Sequence, residues 1–76
     1  MPSFNGHKNW NHWNVSLWIN NDEGLYRQAK YWVRQSDNKV MAAKAMMLEL
    51  ENVGLLKTPD GAPFSYTTIL AAMREM

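Results

Sequence analysis

Arg27, Lys30 and Arg34 are spaced by three and then four residues. That spacing lines them up on one face of a helix over two turns. A row of cations of this kind pairs with phosphates, or with carboxylates on another protein's surface. The four tryptophans, Trp10, Trp13, Trp18 and Trp32, lie within the same stretch of chain. Trp10, where the first apolar segment begins, is the indole expected to stay partly exposed. An exposed indole with arginine nearby is the side-chain chemistry of interface anchors. The candidate partner-binding residues are therefore Arg27, Lys30, Arg34 and Trp10.

Catalytic chemistry has little to work with. Cysteine is absent, which removes thiolate nucleophiles, disulfides and thiolate metal sites. His7 and His12 are five residues apart, and no histidine pair stands at i, i+4 to begin a zinc site. There is no G-x-S-x-G nucleophile elbow and no phosphate-cradling glycine loop. Glu49 and Glu51 project from different sides of a helix, so they do not form a carboxylate pair. The expectation is a protein that is no enzyme, with no cofactor and no metal.

Eight Lys and Arg against seven Asp and Glu leave a formal charge of +1. That balance argues against an acidic DNA mimic and against a strongly basic, unspecific binder of nucleic acid. No apolar run approaches the roughly 18 residues of a membrane span, and "MPSFNGHKNW" lacks the apolar core of a signal peptide. The expectation is a soluble, cytoplasmic protein.

These candidate residues must be held by a very small domain. A single domain over residues 1–76 buries only about 60–65% of its unfolded surface, so its aromatic side chains should carry much of the core. The pattern predicts an all-α fold, a compact bundle of about four short helices, with residues 1–9 irregular. Asn11 is the expected cap of a first helix running to about Ile19. Asn21 or Asp22 should cap a second, running to about Gln35, in which Leu25, Ala29, Trp32 and Val33 form the apolar face. Ser36 or Asp37 should cap a third, over about 38–52, with Val40, Ala43, Met47 and Leu50 inward and Gly54 as its stop. Pro-Asp-Gly marks a turn in "LLKTPDGAPF". Ser65 should cap a fourth helix, with Phe64 and Ile69 as a hydrophobic staple. One core is expected to gather Trp13, Leu17, Trp18, Leu25, Trp32 and Val33. Met41, Met46, Met47 and Met73 should fill gaps, and Met76 should be the exposed methionine.

The stretch "FNGHKNWNHWNVSLWINNDEGLYR" resembles a family of small uncharacterised phage and mobile-element proteins. The shared pattern is W-N-V-x-L-W-I-x-N-D-E-x-L-Y. It is carried here by Trp13, Asn14, Val15, Leu17, Trp18, Ile19, Asn21, Asp22, Glu23, Leu25 and Tyr26. The match covers about a third of the chain. In that family a threonine commonly stands where this chain has His12, which moves the expected cap to Asn11. The resemblance implies a context, a mobile-element protein in the cytoplasm of a host cell, and no activity. "TPDGAPFSYTTI", with the helix before it, is similar to recombinase-type helix-turn-helix segments through Thr58, Gly61, Phe64, Ser65 and Ile69. Those segments carry arginines on the last helix, where this chain has Leu70, Ala71 and Ala72, with Arg74 beyond. The first reading is a binder of a host protein or complex, an inhibitor of host defence of the anti-CRISPR kind. The alternative is a small helix-turn-helix-type DNA-binding protein, with nucleic acid as the partner. A homo-oligomer remains open, and no membrane partner is expected.

Overall fold

The computed structural model describes residues 7–74 and residue 76. Four helices follow one another: α1 (Trp10–Asn21), α2 (Glu23–Gln35), α3 (Lys39–Asn52) and α4 (Tyr66–Met73). Among the described residues there is no strand, only an isolated antiparallel bridge between Lys57 and Pro63. The all-α bundle read from the sequence is the observed architecture. Of the segment expected to be irregular, residues 1–6 lie outside the described residues.

A polar side chain caps the start of each of the four helices. α1 starts earlier than expected, because Asn9 and not Asn11 is its cap, accepting the His12 N–H at 3.0 Å. It also runs on past Ile19: Asn20 and Asn21 donate back to the carbonyls of Ser16 and Leu17, each at 2.8 Å. Asp22 alone separates α1 from α2. Its N–H closes α1 on the Trp18 carbonyl, while its carboxylate accepts the Leu25 N–H at 3.0 Å and opens α2. α3 is capped by Asn38, beyond the expected Ser36 or Asp37, through the Met41 N–H at 2.9 Å. Its far end carries both bonds of a Schellman stop, Leu55 N–H to Leu50 and Gly54 N–H to Glu51, with Gly54 at φ 76°. Ser65 caps α4 as expected, within a capping box whose second member is Thr68.

The core lies between α1, α3 and α4, with α2 covering one flank. Val15 and Ile19 of α1 meet Ala42, Ala43, Met46 and Leu50 of α3, Ile69, Ala72 and Met73 of α4, and Ala29 of α2. Phe64 and Ile69 are both buried in it, where a staple would put them. Leu25, Trp32 and Val33 pack against this cluster from α2 while staying partly exposed. The expected contribution of α1 is corrected. Trp13 and Trp18 are only partly buried and Leu17 is 39% exposed. The helix carries apolar side chains around most of its circumference, and the face turned inward is the one with Val15, Ile19 and a buried Asn14. On α3, Val40 is exposed, and the buried row is Ala42, Ala43, Met46 and Leu50. Met46 and Met73 fill the core and Met47 packs against it, as expected. Two methionines are corrected: Met41 is exposed, and Met76 packs against the core, where its N–H turns back onto the Met73 carbonyl.

Candidate interaction surface

α2 has a single fully buried residue, Ala29. Its apolar side chains Leu25, Trp32 and Val33 lean inward, which leaves the opposite face for side chains that the core does not use. Arg27 and Arg34 are exposed there and Lys30 is partly exposed, so the structure brings these three onto one outward face. Arg27 forms an i, i+4 ion pair with Glu23, and both side chains are about three-quarters exposed. Such a surface pair contributes roughly 0–1 kcal/mol, so it sets side-chain geometry more than stability. The Lys30 ammonium stands 5.9 Å from the centre of the Tyr26 ring. Tyr31, 52% exposed, sets its ring at 80° to Trp32 with centres 5.1 Å apart. Neither Lys30 nor Arg34 has a carboxylate partner among the described residues.

Sequence reasoning missed Tyr26 and Tyr31 as part of this face. Their signal was available, since each stands four residues from a cation of the row, Tyr26 from Lys30 and Tyr31 from Arg27. Trp10 is 39% exposed at the first position of α1, a different element from the cationic row. It shares the outer side of α1 with Trp13 and Leu17 by helical spacing.

The edge of α2 facing α3 is tied down by Glu49. Its carboxylate accepts from the Gln28 amide and, at 3.3 Å, from the Trp32 indole N–H. Glu49 is therefore an interhelical bridge as well as a solvated acid. At the start of α2 the surface dips into a cleft of about 290 Å³. It is lined by Trp18, Leu25, Leu55, Pro59 and Phe64, together with Gly24 and the charged Asp22 and Lys57.

Trp18 and Pro59 are held in place by a polar clasp between α1 and the loop before α4. Buried Asn14 donates to Asp60 Oδ2 at 2.9 Å, and the Trp18 indole N–H donates to the same oxygen at 2.9 Å. The Thr58 hydroxyl donates to Asn14 Oδ1 at 2.6 Å and accepts the Ala62 N–H at 3.1 Å. The turn itself is closed by Gly61 N–H on the Thr58 carbonyl, with Gly61 at φ 95°. The hydrogen bonds from Asn14 and Trp18 hold the Asp60 carboxyl below the usual carboxylate range. Near the start of α1, burial lowers the His12 pKa, and the neighbouring Lys8, His7 and Arg74 act in the same direction. Among the described residues no group of three or more His, Asp or Glu side chains is placed to hold one. Among the described residues no helix is long and apolar enough to cross a membrane.

The segment similar to helix-turn-helix motifs has a different geometry. Thirteen residues, Val53 to Ser65, separate α3 from α4, where a helix-turn-helix has a turn of about 3–4 residues. In α4 Thr68, Ile69, Ala71, Ala72 and Met73 are buried, so its side chains are committed to the core.

A family model covers residues 1–76, the whole sequence. The chain belongs to the family of unknown function DUF7249. No curated protein and no solved structure matches it. Membership in DUF7249 names no activity.

Proposed function

We propose that this chain is a non-enzymatic phage or mobile-element protein that binds a host protein or complex through the outer face of α2. The observation that carries the reading is the composition of that face. Tyr26, Arg27, Lys30, Tyr31 and Arg34 stand together on a helix whose inner side alone serves the core. Tyrosine and arginine are the residue types that dominate binding energy at protein interfaces, because each combines a broad apolar surface with a directional polar group. Three cations against one paired acid, Glu23, suit an acidic protein surface. With no catalytic constellation of its own, such a protein acts by occupying its partner, and inhibition of a host defence complex is the role we assign to it.

A pull-down from host lysate, with and without nuclease, tests this reading. The expected result is the same captured protein under both conditions. Loss of capture on nuclease treatment, together with micromolar binding to random duplex DNA that weakens steeply with salt, would replace a protein partner with nucleic acid.

A further inference from the structure

We propose that the outer face of α3 binds a second copy of this chain, antiparallel and about a two-fold axis at Leu48. Met41, Lys44, Leu48 and Glu51 stand three, four and three residues apart. That spacing sets them in one row, as in the seam of a coiled coil. The row runs along the side of α3 away from its buried residues Ala42, Ala43, Met46 and Leu50. All four side chains are exposed, Met41 at 54% and Leu48 at 62%. Just past the end of the helix, Val53 and Leu56 are exposed as well. Apolar surface of this kind gains from losing water.

Charge selects the occupant. Neither Lys44 nor Glu51 has an ion-pair partner among the described residues, and the Lys44 ammonium stands 5.7 Å from the centre of the Tyr66 ring. A partner of a single charge sign would be attracted by one of the two and repelled by the other. A reversed copy of α3 satisfies both, because Lys44 of each chain then faces Glu51 of the other. The midpoint of those two positions falls at Leu48, which meets its own counterpart across the axis, as a two-fold interface requires. Met41 of each copy reaches the end of the opposing helix, where Val53 and Leu56 are exposed.

The remaining charges of α3 and its ends agree with this arrangement. Lys39 donates to the Arg74 carbonyl at 2.7 Å, and Glu49 accepts from Gln28 and Trp32 of α2. Asp37 before the helix and Lys57 beyond it are both exposed and of opposite sign, so reversal brings ends of unlike charge together. With fourteen residues, α3 is about 21 Å long. A single helix face of that length makes an interface at the small end of specific ones, under about 1,200 Å² in total. The dimer should therefore exchange with monomer at micromolar concentrations. The cationic row of α2 is on a different helix, so the inference stands whether or not that row binds a host protein.

Analytical ultracentrifugation of the full chain, from about 1 μM to about 1 mM, tests the proposal. The expected mass rises from one chain to two as concentration increases. Leu48→Glu, at an exposed position where the fold is not at stake, should weaken association about tenfold or more, with circular dichroism reporting the helices intact. Lys44→Glu and Glu51→Lys should each weaken it too, since like charges then meet across the axis. An equimolar mixture of those two variants should associate again, because each acid of one faces a cation of the other. A chain that stays monomeric through about 1 mM would overturn the dimer. Association that survives Leu48→Glu would overturn α3 as its seat, and a mixture that fails to recover would overturn the antiparallel pairing.

Discussion

α2 and α4 divide the work of this domain between them. α4 is only eight residues long, yet Thr68, Ile69, Ala71, Ala72 and Met73 are all buried, and its start is fixed by a capping box. α2 is thirteen residues long and buries Ala29 alone. The shorter helix therefore holds the fold, while the longer one covers a flank and displays tyrosines and cations. A small domain has little core to spare, so a binding surface is least costly on the element that contributes least to that core. Substitutions on the two helices should separate cleanly, with stability lost on one and binding on the other.

The largest effect should come from α4. Ile69→Ala removes a fully buried side chain and should cost about 2–5 kcal/mol. In a domain this small that is a fall in Tm of about 10 °C or more, which thermal denaturation by circular dichroism will read. A shift of only a few degrees would show that α4 is not the centre of the core.

The clasp comes next. Asn14→Ala leaves the buried Thr58 hydroxyl without its acceptor and should destabilise by about 1–3 kcal/mol. Chemical denaturation should show a lower midpoint with an unchanged slope. Ser65→Ala removes the cap of α4 and should cost about 0.5–2 kcal/mol, measured in the same way.

Asp60 gives the comparison a pH signature. Its carboxyl is held below the ordinary 3.8 in the fold. The stability it supplies is complete above that value and is lost as pH falls from there through the lower folded value. Asp60→Ala should therefore melt below the parent protein at neutral pH, and the gap should close in strong acid. His12 acts in a different window. Because burial lowers it in the fold, its contribution weakens as pH drops below the ordinary 6.5. A gap for Asp60→Ala that is already closing between pH 7 and 6 would assign the clasp's pH dependence to another group.

Much of this division can be read in the sequence, for a physical reason. α2 alternates apolar and polar faces at the helical period, so Leu25, Ala29, Trp32 and Val33 point one way and the cations the other. α1 offers no such direction. Trp13 and Leu17 on one side and Val15 and Ile19 on the other are equally apolar, and the choice between them is made by tertiary partners. Asn14 looks like a surface residue until Thr58 and Asp60, more than forty positions away, satisfy its amide. Pro-Asp-Gly reads as turn chemistry, and the turn is there, but the second use of Asp60 as the acceptor for Asn14 and Trp18 has no local signal. The cleft was illegible for the same reason, since its walls come from α1, α2 and the loop before α4. The Ser65 cap is legible because one polar residue stands at that break. Where several stand close together the choice is left open or displaced, as in "NNDE" before α2, "SDN" before α3 and "NWN" before α1.

The smallest expected change in stability belongs to α2, and the same variant gives the most direct test of the account. Arg27→Glu combined with Arg34→Glu alters exposed positions and should shift stability by no more than about 0.5 kcal/mol. Retention of the host partner captured by the parent protein should be lost, since the reversed face now repels an acidic surface. Thermal melting and partner capture, measured side by side on this one double variant, decide the matter. The account predicts an unchanged melt with binding lost. Binding retained at parental strength on an intact fold would contradict it.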